Sequence, residues 1–256
     1  MKLNEIKKRF FTLRKCVGCS KILEDEEKDG IFCESCRLAW NVAKTESCKE
    51  CFQSAVECTC QPKELSNVGS LCLRKLIFYK KDRGAYPVLR IVYRLKKKPH
   101  KRTEEFLAKE LSYAVREELK ALSIDTPENE AAIVYLPRSK RARRRYGIDQ
   151  SERVVRALSA ETNIPCVQAI IRKKLFGKEQ KKLTSKARFK NIKKQFVISS
   201  SEQIAGKYVF LYDDVVTTGA SMTACVKLLR NAGARGIICF CIARNQQNKN
   251  KRNVTK

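Results

Sequence analysis

Residues 70–244 alternate between short apolar runs and segments whose apolar residues recur at helical spacing. The runs at 131–136, 166–171, 206–214 and 237–242 have the length of buried strands. Thr103 and Ser151 are predicted to cap two of the intervening helices. The clearest helical stripe consists of Phe106, Leu107, Leu111, Val115, Leu119 and Leu122. Strands that alternate with helices predict an α/β domain in which helices cover both faces of a parallel sheet.

The first 61 residues lack this pattern and contain four closely spaced pairs of cysteines instead. Two thiolates separated by two residues project to one side of a tight turn, so two such pairs supply the four sulfurs of a tetrahedral zinc site. The simplest pairing gives one site of Cys16, Cys19, Cys33 and Cys36 and one of Cys48, Cys51, Cys58 and Cys60. Crossed pairings stay open, and incidental thiols, disulfides or a redox pair are the alternatives to zinc.

These patterns divide the chain into a Cys-rich double zinc-binding module at 1–61, an α/β domain at 70–244 and a basic tail at 245–256. A polar segment that contains Pro62 links the first two parts. The tail has no apolar period and is expected to be disordered. The remaining cysteines lie among apolar residues and are expected to be small buried side chains: Cys72, Cys166, Cys225, Cys239 and Cys241.

The segment 208–221 carries the most specific chemical pattern in the chain. An apolar run ends at two adjacent carboxylates, Asp213 and Asp214, and a Thr-Thr-Gly turn then leads into a helix. The carboxylates can accept hydrogen bonds from two vicinal ribose hydroxyls, while N–H groups at a helix N-terminus favour a phosphate. The alternative is an ordinary turn with a helix cap at Thr217 or Ser221. The predicted phosphate-binding residues are Val216, Thr217, Thr218, Gly219, Ala220 and Ser221.

Composition adds a strong positive charge to this picture. The 256 residues carry a formal net charge of +28, which predicts attraction to polyanions such as nucleic acid, anionic lipid or phosphorylated metabolites. A lysine-rich solvated surface is the alternative. No stretch approaches the roughly 18 consecutive apolar residues of a membrane span, and the basic N-terminus lacks the apolar run of a signal peptide. We therefore expect a cytoplasmic protein, without membrane insertion, whose thiols stay reduced.

Two basic runs, at 138–145 and 172–194, are candidates for a nucleic-acid surface. Six of the eight residues in the first run are basic, and the second has eleven Lys or Arg residues against one Glu. A bound polyanion relieves the repulsion within such runs, and neighbouring aromatic rings could stack unpaired bases, although each ring could instead belong to the core. The predicted contacts are Arg141, Arg143, Arg144, Arg145, Tyr146, Arg172, Lys173, Lys174, Phe176 and Arg188.

The segment 208–221 resembles the phosphoribosyl-pyrophosphate motif of type I phosphoribosyltransferases. Together with the cysteine pairs and the segments 133–139, 144–150 and 172–191, it makes nearly the whole chain resemble the ComF competence family. The resemblance implies a parallel-sheet type I phosphoribosyltransferase-like domain preceded by a small Cys-rich zinc module. It also implies that Arg138, in the loop after the strand at 131–136, supplies the cation that grips pyrophosphate.

Three functions are compatible with these features. The resemblance implies a factor that handles incoming single-stranded DNA in natural transformation, and the positive charge favours it. The second is an active transferase in which Asp213 and Asp214 serve catalysis by binding the ribose. Its ligands would be phosphoribosyl pyrophosphate and Mg²⁺, and an unidentified nitrogen compound would be the nucleophile. No segment that selects a nucleobase is recognised in the sequence. The third is an adaptor whose zinc module recruits a helicase or a DNA-uptake channel component. His100, the only histidine, is a poor candidate base in a charged turn.

Overall fold

The structure is a computed structural model that describes residues 14–79, 90–91, 93–94, 100–138, 144–145, 147, 149–173 and 195–246. The N-terminal 13 residues and positions 247–256 of the basic tail lie outside the described residues. No helix in the described part of the chain is long and apolar enough to cross a membrane.

The described strands are β1 (Cys72–Tyr79), β2 (Ala131–Tyr135), β3 (Cys166–Val167), β4 (Ile170–Arg172), β5 (Phe196–Ile198), β6 (Tyr208–Val216) and β7 (Gly236–Asn245). Five of them form a sheet in the order β1-β7-β6-β2-β3 in which every pairing is parallel. β4 and β5 form a separate antiparallel pair. The parallel sheet confirms the prediction from the sequence. Its carboxyl-terminal edge brings the ends of β2 and β6 together, because Tyr135 lies beside Tyr212.

The described helices are α1 (Glu34–Thr45), α2 (Lys63–Ser66), α3 (Lys101–Ala121), α4 (Pro127–Glu130), α5 (Gln150–Thr162) and α6 (Ala220–Asn231). The apolar stripes of α3 and α5 pack on one face of the sheet, against Phe210 and Phe240. The stripe of α6 packs on the other face, against Leu211 and Cys239. Strands that are covered on both faces must be apolar on both, which explains why β2 is buried at every position.

Several local predictions from the sequence are wrong. The run at 166–171 forms two strands rather than one, and β4 leaves the main sheet to pair with β5. Ser151 does not cap α5; the N-cap is Asp149, whose carboxylate accepts from the Ser151 N–H. Thr103 lies inside α3, where the His100 side chain accepts from the Thr103 N–H instead. In both helices the side chain that accepts the capping hydrogen bond belongs to a residue before the one that the sequence predicts as the cap.

The Cys-rich module packs against the α/β domain through a shared apolar core. The rings of Phe32 and Trp40 lie 5.5 and 5.6 Å from the ring of Phe106 on α3. The Trp40 Nε1–H donates to Glu110 Oε2 over 3.1 Å, and the Lys44 ammonium pairs with the same carboxylate at 2.8 Å. Because aromatic contacts and a half-buried ion pair join the two parts, the N-terminal module is built onto the domain rather than tethered to it.

Candidate functional site

The end of β6 and the start of α6 form the centre of the candidate site. Asp213 and Asp214 are half-buried and lie within β6, which continues to Val216. Thr217 and Thr218 are exposed, and α6 then begins at Ala220. The first N–H groups of a helix have no partner inside the helix, so this exposed turn offers donors to an anion. The acids and the turn therefore lie together, as the sequence predicts.

Gly219 is the N-cap of α6 and has a φ of 75°. Neither Thr217 nor Ser221 caps this position, so the alternative of a cap at either residue is wrong, and the Ala220 N–H donates to Thr218 Oγ1 over 3.4 Å. A Cβ at Gly219 would lie 3.2 Å from Cγ of Pro62, the residue that directly follows the cysteine module at 1–61. Both the left-handed backbone and this close approach favour glycine. The turn is thus shaped from one side by the segment that leaves the cysteine module.

The predicted pyrophosphate loop follows β2, next to the two acids. The Leu136 N–H donates to the Tyr212 carbonyl over 3.0 Å, which ties the start of the loop to β6. The Arg138 N–H donates to Asp149 Oδ2 over 2.9 Å. The amide of Arg138 therefore faces a protein carboxylate. The half-buried guanidinium of Arg138 remains the candidate cation.

Sequence reasoning left Asp149 and Gln150 out of the candidate site. Asp149 is 6% exposed, and Gln150, which is 1% exposed, donates from Nε2 to Asp214 Oδ2. Burial raises the pKa of the Asp149 carboxyl, although the N–H bonds that it accepts act in the opposite direction. The available signal was their position in the segment 144–150, which matches the family pattern.

Arg172, which the sequence places in the basic run at 172–194, lies close enough to Asp213 to interact with its charge. Its guanidinium stacks over the ring of Phe196 at 5.0 Å and donates to Gln195 Oε1 over 2.5 Å. Burial lowers the pKa of Arg172, while the negative charge of Asp213 acts to raise it. An arginine stays charged through such a shift, so the half-buried cation adds positive potential near Asp213.

The other predicted nucleic-acid contacts are divided between exposed and undescribed positions. Arg144, Arg145 and Lys173 are exposed. The remaining predicted contacts lie outside the described residues: Arg141, Arg143, Tyr146, Lys174, Phe176 and Arg188.

The eight N-terminal cysteines form two groups of four with the pairing that the sequence favours, and within each group the sulfurs lie within 4.8 Å of one another. They are Cys16, Cys19, Cys33 and Cys36 in the first group and Cys48, Cys51, Cys58 and Cys60 in the second. The sulfurs of Cys19 and Cys33 are 3.6 Å apart, close to the ~3.8 Å that tetrahedral bonds of about 2.3 Å to zinc require. Both donor sets therefore suit zinc.

The two groups repeat one local structure. In each, the residue after the second cysteine has a positive φ, 74° at Ser20 and 61° at Phe52. In each, that residue's N–H bonds the carbonyl of the first cysteine, over 2.9 Å to Cys16 and 3.0 Å to Cys48. Burial acts to raise the pKa of these two thiols, but nearby backbone N–H bonds outweigh it and lower the pKa of both to about 7. These turns favour the thiolate form of Cys16 and Cys48, which a metal needs, whereas burial raises the pKa of Cys33, Cys36, Cys58 and Cys60.

The second group is held by cations from the central sheet. Lys75 on β1 is 1% exposed, and its Nζ donates to the carbonyls of Cys60 and Leu73 over 3.2 and 3.0 Å. Arg244 on β7 donates to the Cys60 carbonyl over 2.6 Å. Four thiolates around a divalent ion carry a net charge of −2, so two buried cations would offset it.

Comparison with known proteins agrees with this geometry. Residues 144–256, which include β6, the turn at Gly219 and α6, match the phosphoribosyl transferase domain family. Over 223 residues the chain is 27% identical to Competence protein F of Haemophilus influenzae, an alignment that covers 83% of this chain and 96% of that protein. The chain is a homologue of Competence protein F.

Solved structures that resemble this homologue include phosphoribosyltransferases. The chain is 17% identical to glutamine phosphoribosylpyrophosphate amidotransferase of B. subtilis, with a TM-score of 0.34 over 54% of this chain and 25% of the other. It thus spans about a quarter of the length of that enzyme. It is 15% identical to hypoxanthine phosphoribosyl transferase of Trypanosoma cruzi, with a TM-score of 0.35 over 63% of this chain and 76% of the other.

Proposed function

We propose that this homologue binds a ribose 5-phosphate group, of the kind carried by phosphoribosyl pyrophosphate, at the turn between β6 and α6. One observation carries the proposal: Asp213 and Asp214, the exposed turn at Thr217 and the loop of Arg138 meet at one edge of a parallel sheet. Ligands of open α/β sheets bind at this edge, beyond the carboxyl ends of the strands.

Each part of the site has a task that its chemistry suits. The two carboxylates accept hydrogen bonds from the vicinal hydroxyls of the ribose, and the N-terminus of α6 attracts the 5′-phosphate. The guanidiniums of Arg138 and Arg172 neutralise the diphosphate. Mg²⁺, when bound, lowers the negative charge of the diphosphate, with the ligand's own oxygens and waters as its main partners.

Calorimetry with phosphoribosyl pyrophosphate tests this proposal on the full-length protein produced in zinc-replete medium. Asp213→Ala/Asp214→Ala should weaken binding by more than about 100-fold, because each lost charged hydrogen bond costs about 1.5 to 3 kcal/mol. Asp125→Ala/Glu128→Ala is the matched control, since both residues are exposed and precede β2 at the opposite edge of the sheet. Equal affinity in wild type and the Asp213/Asp214 variant would refute the proposed site.

We further propose that this site serves the handling of single-stranded DNA in competence, as the name of the relative suggests. The supporting observation is the exposure of Arg144, Arg145 and Lys173 on a chain with a net charge of +28. An active phosphoribosyltransferase is the alternative. Release of pyrophosphate from phosphoribosyl pyrophosphate in the presence of nitrogen bases, lost in Asp213→Ala/Asp214→Ala, would favour the alternative.

Salt dependence separates a built DNA surface from diffuse charge. On single strands the slope of log K against log salt is about −0.7 for each neutralised phosphate, so Arg144→Gln/Arg145→Gln should flatten the slope by about 1.4. Lys109→Gln/Lys227→Gln removes the same charge from exposed positions on α3 and α6 and should leave the slope nearly unchanged. If the two variants behave alike, the interaction with DNA reflects net charge alone.

A further inference from the structure

Asp149 and Gln150, two consecutive residues at the start of α5, reach both halves of the proposed site. Asp149 Oδ2 accepts from the Arg138 N–H over 2.9 Å, and its Oδ1 accepts from the Ser151 N–H over 3.2 Å. Gln150 Nε2 donates to Asp214 Oδ2. One helix end therefore contacts the pyrophosphate loop and one of the ribose-binding acids.

We propose that Asp149 and Gln150 are positioning residues that act on different halves of the ligand. Asp149 orients the loop that binds the diphosphate, and Gln150 orients the carboxylate that binds the ribose. This inference rests on the proposed function, because it assigns roles toward the same ligand.

The Asp149 carboxylate accepts one hydrogen bond in addition to the bond that caps α5. Its bond to the Ser151 N–H already satisfies the end of α5, as an N-cap side chain normally does. The second bond fixes the N–H of Arg138, and because the peptide unit is planar it also fixes the carbonyl of Pro137. With the Leu136 N–H bound to the Tyr212 carbonyl, the described start of the loop is held at two points, Leu136 and Arg138.

Among the described residues, the Gln150 side chain has a hydrogen-bond partner only at its amide nitrogen. The amide nitrogen faces Asp214, and the amide oxygen is buried without a hydrogen-bond partner among the described residues. A buried acceptor without a partner costs free energy, so a residue chosen for stability alone would be apolar at this position. The bond to the Asp214 carboxylate accounts for an amide at this position.

The test measures the two halves of the ligand separately, with inorganic pyrophosphate and with ribose 5-phosphate, in the presence of Mg²⁺. Asp149→Asn keeps a capping oxygen for Ser151 but loses the second acceptor oxygen of the carboxylate. Gln150→Met keeps the size of the side chain and removes its donors. Glu152→Gln is the control, because Glu152 lies on the same helix and pairs with Arg156 rather than with either loop.

We expect Asp149→Asn to weaken pyrophosphate binding about tenfold or more and to change ribose 5-phosphate binding by less than about twofold. Gln150→Met should show the reverse pattern, and Glu152→Gln should resemble wild type. If Asp149→Asn does not fold, Asp149→Ser retains a cap but is too short to bridge the loop. Equal losses for both ligands in each variant, or no loss, would overturn the inference, whereas failure of the wild type to bind either ligand would overturn the proposed function itself.

Discussion

Gly219→Ala is the sharpest single perturbation of the phosphate-binding turn. Gly219 has a φ of 75°, a conformation that costs a residue with a Cβ about 1–2 kcal/mol. The added Cβ would also lie 3.2 Å from Cγ and 3.6 Å from Cβ of Pro62. The proline ring must then move by a few tenths of an ångström, and forced contacts of this kind typically cost about 1 kcal/mol or more.

Gly206→Ala is a matched control for this substitution. Gly206 has a φ of 73°, but a Cβ there would meet nothing within 4 Å. It therefore carries the backbone strain without the contact. In urea unfolding we expect a loss of about 1–2 kcal/mol for Gly206→Ala and a further loss of about 1 kcal/mol or more for Gly219→Ala. Only Gly219→Ala should weaken the binding of phosphoribosyl pyrophosphate.

Pro62→Ala identifies the source of the further loss. Replacing the proline removes the Cγ that the new Cβ would meet, so the double variant Gly219→Ala/Pro62→Ala should be more stable than the two single effects predict. If Gly219→Ala is no less stable than Gly206→Ala and binds ligand normally, the contact with Pro62 neither destabilises the variant nor shapes the turn for binding.

Three further predictions concern the metal sites and Arg172. Metal analysis should find two zinc ions. Chelation should shift the fluorescence emission of Trp40, the only tryptophan, to the red, because the core that buries Trp40 depends on the first cysteine group. Unchanged emission after complete removal of the metal would contradict this. Lys75→Met should destabilise the protein by about 1–3 kcal/mol and speed the release of one zinc ion to a chelator, because it removes a charged hydrogen bond and one of the two buried cations beside the second cysteine group. Equal release rates would exclude a role in the second site. Arg172→Met should lower the affinity for phosphoribosyl pyrophosphate, since the guanidinium lies near Asp213, and should leave the slope of log K for DNA against log salt unchanged. A changed slope with normal affinity for phosphoribosyl pyrophosphate would indicate that Arg172 contacts DNA instead.

Features that depend on local sequence were predicted well. The period of apolar residues located the strands on either side of the site, and the spacing of the cysteines identified both groups of four. The acids and the glycine turn stand out as a candidate site because fewer than ten consecutive residues carry the whole pattern. Each of these signals lies within one element or one turn, where spacing alone determines which residues meet.

Features that depend on contacts between distant segments were missed. Gln150 and Asp214 are 64 positions apart, and Lys75 meets Cys60 only because β1 runs beside the second cysteine group. The packing of Trp40 against α3 likewise joins residues that are about 70 positions apart. The periodicity of apolar residues predicts which positions are buried but does not identify the residues that they contact. A polar side chain that bridges two loops therefore cannot be distinguished by sequence from other polar residues at the start of a helix.

A crystal structure of the protein with phosphoribosyl pyrophosphate would show directly whether the ligand binds at the turn between β6 and α6. We predict ribose hydroxyls within hydrogen-bonding distance of Asp213 and Asp214, the 5′-phosphate at the N–H groups of residues 217–221 and the diphosphate beside Arg138. A ligand bound elsewhere on the molecule, or no ligand at concentrations that saturate binding in solution, would contradict it.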